Sequence, residues 1–325
     1  MKPQLFLAPM AGVTNTVFRR LCKGLGADVL TTEFVSAEGI LHRNERTRRY
    51  LEFHAEERPI GVQLFGANPR ALAEAARAVI DWVAPDFLDL NFGCPVNKVV
   101  CKNGGSSLLR DCGLLAGVAG AVVKAAAPVA VTAKIRIGWD ARSINAVEVA
   151  HILEAEGISR LAVHGRTKEQ GYSGTADWSV IAKVADAISI PVIGNGDISD
   201  AQTALRRLGE TGVAGLMIGR AAMNHPWLFT EIRNALAGSP SPAVPTPREQ
   251  WDFILRHCSK EIAWWGGREL LAMKAMRARL MAYTRGMPGG PRLREKLQKV
   301  ESLDQVREIA SAAQAPSAAT DPASF

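Results

Sequence analysis

Cys94 stands between Gly93 and Pro95, just past an apolar run, with Lys98 and Lys102 downstream. Free cysteines are commonly buried as small hydrophobes, and Cys22 and Cys258, each within a helix-like stretch, fit that description. A thiol in a Gly-Cys-Pro turn beyond the run is placed for chemistry, as a nucleophile or as a proton donor, and basic groups close in space would lower its pKa. Lys134 is as oddly placed, inside the apolar run VAVTAKIRIG. An amine there is costly unless it is paired or meets a ligand. The bland alternative is a lysine that snorkels or pairs with an interior acid such as Glu33. For His164 it is a core histidine satisfied by hydrogen bonds.

The elements that must position these groups are eight short apolar runs, at 4–10, 28–34, 59–66, 87–93, 129–138, 159–165, 191–197 and 215–220. Helical stretches separate them; that at 68–83 opens with Asn68 and Pro69, and that at 144–157 stops at Gly157. Strand then helix, repeated eight times, predicts an α/β fold of the (β/α)8 TIM-barrel type. An open doubly wound sheet uses the same units, but neither GxGxxG nor GxxxxGK[ST] occurs.

In a closed barrel the functional groups come from the carboxyl ends of the strands. The eight runs end on Pro9 and Met10, Glu33, Gln63, Asn91 and Cys94, Lys134 and Arg136, His164 and Arg166, Asn195 and Asp197, and Gly219 and Arg220. Gly196 and Gly219, each ahead of a helix start, let backbone N–H groups approach an anion, and Arg220 has no acid beside it in the sequence. These residues are expected to hold a phosphate. The alternative is that the glycines only make tight turns.

Residues 1–237 are assigned to the barrel and 238–247, which contain four prolines, to a linker. Residues 248–312 are expected to form a small C-terminal helical domain of three helices, the third at about 291–311, and 313–325 a disordered tail. Charge is uneven. Between Arg256 and Lys299 eleven Lys or Arg face three acids, a net +8, so the rest of the chain carries −1 of the total +7. Such a segment suits a polyanion, although a solvated helix face is the ordinary reading of any single arginine.

Five cysteines, an odd number without CxxC spacing, indicate neither a disulfide framework nor a thiol metal site. The N-terminus is too poor in apolar residues for a signal-peptide core, and no run approaches 18 apolar residues. A soluble, cytoplasmic protein with no membrane partner and no obligate protein partner is expected.

The chain strongly resembles the tRNA-dihydrouridine synthases, enzymes that use FMN, through LAPMAGVTN, GVQLFG, DLNFGCPVNKVV, NGGSSLLRD, TAKIRIGW, HGRTKEQGYSG, PVIGNGDI and LMIGRAAMNHPWLF. The likeness runs over residues 5–236, is closest in character to the bacterial B-type branch, and extends in layout to the helical domain. Asn15 stands where Asp is common and Phe92 where Met is common, while Cys101 and Cys112 are extra thiols.

The resemblance implies FMN held by Pro9, Met10, Gln63, Lys134, His164, Asn195, Gly196, Asp197, Gly219 and Arg220. It implies NADPH, or NADH, as reductant and tRNA as substrate. Asn91, Arg136 and Arg166 would approach the target nucleotide, and Arg268, Lys274, Arg277 and Arg279 of the basic segment the surrounding RNA. Hydride would pass from flavin N5 to C6 of a uridine, and Cys94 would supply the proton to C5. Two other readings stay open: an FMN barrel acting on a free dihydropyrimidine or dihydroorotate, and a nucleic-acid-binding barrel without redox chemistry.

Overall fold

The structure, a computed structural model, describes residues 2–42, 45–95, 104–239 and 245–314. Lys98, Cys101, Lys102, the middle of the linker and the tail from 315 lie outside the described residues. Two compact units are present, Met1–Ala222 with Pro226–Ser241, and Met223–His225 with Pro242–Phe325.

The first unit is built on nine parallel strands: β1 (Gln4–Leu7), β2 (Leu30–Thr31), β3 (Val35–Ser36), β4 (Ile60–Phe65), β5 (Phe87–Phe92), β6 (Ala130–Arg136), β7 (Leu161–His164), β8 (Val192–Asn195) and β9 (Gly215–Ile218). Their order is β1-β9-β8-β7-β6-β5-β4-β2, with β3 also on β4. All eight predicted runs carry strand. The second, 28–34, holds only β2, with β3 just beyond its end; between the two strands Glu33 accepts from the N–H of Gly12 at 2.9 Å. These strands fill eight positions of a nearly closed barrel. Its seam between β1 and β2 is a single bridge, Phe6 to Val29, flanked by Asp28 N–H donating to Leu5 O at 2.7 Å.

Helices between the strands follow local signals. Pro69–Val83 starts under an Asn68 side-chain cap, and Ala146–Ala155 stops before Gly157, whose φ is +88°. Alternation along each strand turns every second residue inward. Phe6, Val29, Phe87, Ala162, Ile193 and Met217 form one buried cluster at the lower level. Gly61 leaves the space that the Phe87 ring occupies, since a Cβ there would lie 2.1 Å from it. Arg160 caps this layer, its guanidinium 4.9 Å from the Phe6 ring and 4.7 Å from Phe87.

The second unit contains Pro247–Trp264, Glu269–Tyr283, Gly290–Leu297 and Leu303–Gln314. The single helix expected at 291–311 is thus two. The break falls where Arg277 of the preceding helix takes the carbonyls of Val300 and Lys299 at 3.0 and 3.3 Å, removing them from helical bonding. Among the described residues, no helix is long and apolar enough to cross a membrane.

Candidate active site

Strand register assembles the site. Asn91 on β5 pairs with Lys134 on β6, Arg136 on β6 with His164 on β7, and His164 with Asn195 on β8. One level down, Gln63, Asp89 and Thr132 are register partners across β4, β5 and β6. Residues distant in sequence therefore share one inward-facing patch at the carboxyl ends of the strands, above the apolar layer.

Lys134 donates to Asn195 Oδ1 at 3.1 Å, and Asn195 Nδ2 donates to Met217 O at 2.6 Å. Burial pushes the Lys134 amine down to about 8, with the Arg136 charge adding to the shift, against the pull of Asp89 and the Cys94 thiol. The pairing with Glu33 weighed from sequence gives way to the amide of Asn195. His164 is pushed down to about 2, first by burial and then by Lys134, Arg136, Arg166 and Arg220. It is a neutral imidazole inside a ring of cations.

Cys94 is 7% exposed and lies within electrostatic reach of both Lys134 and Arg136. Its turn is pinned from three directions. Asn91 Oδ1 accepts from the N–H of Gly93 and Cys94, Ser106 Oγ donates to Cys94 O at 2.8 Å, and Arg136 Nε donates to Gly93 O at 3.0 Å.

The guanidinium groups are more committed than the sequence suggests. Arg136 is 3% exposed, and its Nη1 donates to the carbonyls of Thr167 and Gly171 at 2.7 and 2.9 Å, joining the Cys94 turn to the 167–174 loop. Its Nε and Nη1 thus hold main chain. Arg166 is likewise buried, grips Asp197 through both Nη atoms at 2.8 Å, and donates to Ser173 O and Gly174 O.

Arg220, read as free of acids, donates to Asp197 Oδ1 at 2.9 Å. The acid is 23 positions away in sequence, and the fold brings the ends of β8 and β9 together. Burial alone would raise the Asp197 carboxyl; hydrogen bonds from Arg166 and Ala176 N–H, with the charges of Arg166 and Arg220, hold it below its ordinary value. Arg220 remains half-exposed, with charge available to a ligand.

The remaining candidates border the same mouth. Gly196 has φ +130°, and a Cβ there would lie 2.6 Å from the Ala176 methyl and 3.2 Å from the His164 ring, so only glycine fits. A Cβ at Gly219 would make ordinary contact with Ala8 and with Met10 Sδ at 3.7 Å, which sets Gly219 beside the half-buried Pro9–Met10 segment. Met10 is fixed by its N–H donating to Thr14 Oγ1 at 2.9 Å.

Three features escaped the reading of the sequence. Asp89 is buried and bonded to Gln63 and Thr132; its two-residue spacing from Asn91 was the available signal. Tyr172, 59% exposed, projects from the clamped 167–174 loop with Arg220 at 4.6 Å and Arg136 at 5.9 Å from its ring. Trp139 lies between Arg110 and Lys168, at 4.8 and 4.4 Å. No local pattern announces either aromatic.

In the helical unit, Lys274 is exposed, and Arg268 donates to Trp265 O at 2.9 Å while lying 6.0 Å from that ring. Arg277 is tied to Val300 and Lys299, and Arg279 is half-buried within electrostatic reach of His257. Tyr283 is core, its hydroxyl 2.9 Å from His257 Nδ1. A groove of about 680 Å³ is lined by Ala278, Met281, Ala282, Arg285, Gly286 and Arg294. Among the described residues no cluster of His, Cys, Asp or Glu could hold a metal ion.

The donor set fits FMN. The Lys134 amine and the Arg136 guanidinium beside a neutral His164, the amide of Asn195, and a glycine cradle at 196 beside a half-exposed arginine match a ring with an anionic reduced form and a phosphate tail.

Comparison with known proteins agrees. The tRNA-dihydrouridine synthase B of Pseudomonas aeruginosa is 40% identical over 302 residues, covering 93% of this chain and 90% of its own. That of Xanthomonas campestris pv. campestris is 40% identical over 303 residues, covering 92% and 89%. A Mycobacterium tuberculosis protein named "Probable tRNA-dihydrouridine synthase" is 39% identical over 310 residues, covering 92% and 79%. The family profile "Dihydrouridine synthase (Dus)" matches residues 6–320, and on these grounds the chain belongs to the Dus family and is a flavin-dependent oxidoreductase with B-type relatives.

Proposed function

We propose that this protein reduces uridines in tRNA to 5,6-dihydrouridine, using FMN as the redox group and NAD(P)H as reductant, with a TIM barrel as catalytic domain and the helical unit as tRNA-binding domain. Bound FMN supplies two electrons and one hydrogen to C6 of the uracil ring; the protein supplies what surrounds that transfer. Lys134, oriented by Asn195, carries the positive charge that stabilises an anionic ring, and Gln63, His164 and Asn195 give it hydrogen-bonding partners. The phosphate is taken at Gly196, Gly219 and Arg220, with Asp197 holding the arginine, and main chain at Pro9 and Met10 completes the cradle.

Cys94 Sγ gives the proton to C5, and its turn, fixed by Asn91, Ser106 and Arg136, holds that atom in place. Asn91 borders the uracil pocket. Arg136 and Arg166 serve the substrate indirectly, by clamping the loops on either side. In the helical unit, the +8 segment supplies phosphate contacts, since a loop base is chemically common and must be selected by the shape and charge of the RNA around it. The cytoplasm, where tRNA and NAD(P)H meet, is the proposed location.

The observation carrying the reading is that Lys134, bonded to Asn195, is the register partner of Asn91, whose side chain with Arg136 holds the Cys94 turn. The test is to quantify dihydrouridine at each position of tRNA from cells with the gene, without it, and with a Cys94→Ala copy. Loss at defined positions in the deletion, unrestored by Cys94→Ala, supports the proposal. An unchanged tRNA pattern with activity on free uridine points to the free-pyrimidine barrel.

A further inference from the structure

Beneath the Cys94 turn four side chains form a single hydrogen-bonded line. Thr132 Oγ1 donates to Asp89 Oδ1 at 2.5 Å, and Gln63 Nε2 donates to Asp89 Oδ2 at 2.7 Å. Asn91 Nδ2 then donates to Gln63 Oε1 at 2.8 Å. At the far end Asn91 Oδ1 accepts from the N–H of Gly93 at 3.1 Å and of Cys94 at 2.9 Å. We propose that Asp89 is a positioning residue: its Oδ2, a fixed acceptor, sets the direction of the Gln63 and Asn91 amides and so holds the Cys94 turn.

A primary amide has a donor end and an acceptor end, and each of Gln63 and Asn91 could by itself be turned over. The line is consistent in one direction only. The two main-chain N–H groups need an acceptor, so Asn91 presents oxygen to them and its NH2 to Gln63. Gln63 must then offer oxygen to Asn91 and its NH2 to residue 89. Water cannot substitute along the way, because Gln63 is 0% exposed, Thr132 3%, Asp89 5% and Asn91 7%.

What the line requires of position 89 is an acceptor rather than a charge. Thr132 Oγ1 also has Leu88 O at 3.3 Å, so its hydroxyl donates to Oδ1 when Asp89 is a carboxylate and to Leu88 O when Oδ1 carries a proton of its own, while Oδ2 accepts from Gln63 in both states. The Cys94 carbonyl is held from another side by Ser106, which leaves the N–H side of the turn to this relay. The effect on proton delivery rests on the reading of Cys94 as proton donor; the effect on the turn does not.

The test compares flavin-loaded Asp89→Ala and Asp89→Asn enzymes by backbone hydrogen exchange over residues 91–95 and by tRNA turnover. Alanine removes the acceptor. Asparagine retains it, turning its oxygen to Gln63 and its NH2 to Thr132, whose hydroxyl goes to Leu88 O. In Asp89→Ala, exchange at Gly93 and Cys94 rises by about 3- to 10-fold, the worth of one neutral hydrogen bond, and kcat falls by a similar factor with KM for tRNA unmoved. Asp89→Asn keeps the wild-type protection. Wild-type protection in Asp89→Ala overturns the proposal, as does equal loss in both variants, which would make charge the requirement.

Should Asp89→Ala not fold, a near-isosteric pair decides. Thr132→Val leaves Oδ2 accepting and the turn protected. Adding Asp89→Asn deprives the new NH2 of its acceptor, turns it toward Gln63, reverses the line and exposes the turn; equal exchange in the two variants sinks the idea. Single-turnover product formation by Cys94→Ala tests the proton-donor reading separately, and its failure leaves the exchange result standing.

Discussion

Arg166 holds both carboxylate oxygens of Asp197 at 2.8 Å while its remaining donors reach the carbonyls of Ser173 and Gly174. One buried guanidinium thus ties the end of β8 to the loop after β7, and Arg220 shares the same carboxylate. Removing it strips four hydrogen bonds and leaves a carboxylate half-paired. Arg166→Ala should cost about 2 kcal/mol, since the guanidinium is buried but its partner carboxylate is a third exposed. Urea unfolding measures this, and proteolysis should open the 167–174 loop first. Arg166→Lys, which cannot make the two-pronged contact, should recover little.

Lys134 gives two opposed pH dependences. Its amine titrates at about 8 in the ligand-free protein and at 10.5 when unfolded. An anionic flavin needs the charged amine, so affinity should be flat below pH 8 and fall by up to about tenfold per pH unit above it. Between pH 8 and 10.5 the unfolded chain binds more protons than the folded one, so stability of the flavin-free protein should rise with pH there. Anaerobic absorbance titration with reduced FMN and urea midpoints, each at pH 7 and 9.5, check both signs. Lys134→Met should abolish both trends.

Thiol chemistry separates the cysteines. Burial pushes Cys258 up to about 12, with Glu261 adding to the shift, and Cys22 is fully buried. Alkylation of the folded protein at pH 8 should leave both unmodified, read by peptide mass spectrometry. In single turnover, Cys94→Ala should reduce its flavin normally while uridine reduction falls by about 10²- to 10⁴-fold, the usual worth of a general acid. Undiminished product would remove Cys94 from the chemistry.

Two basic residues of the helical unit should differ in kind. Lys274 is exposed, so Lys274→Ala should weaken tRNA binding and lower the slope of log affinity against log salt by about one. Arg277 closes the break before the last helix, so Arg277→Ala should chiefly lower thermal stability. Filter binding between 50 and 200 mM salt, set beside melting curves, distinguishes them. A salt-independent affinity would end the case for this unit as an RNA-binding surface.

Local pattern alone fixed much of this protein. Eight apolar runs with helices between them specified a barrel, the Gly-Cys-Pro turn marked Cys94, and Lys134 was conspicuous because an amine is costly within an apolar strand. Asn68 and Gly157 announced helix ends through caps that act within a few residues. What the tertiary structure decided is which groups are already occupied. Arg136, Arg166 and Arg220 look equally available in the sequence, yet their partners lie across strand ends and loops, where register rather than spacing determines distance. The direction of the Asp89–Gln63–Asn91 line belongs to that second category, since an amide's orientation is set by what surrounds it and not by where it stands in the chain.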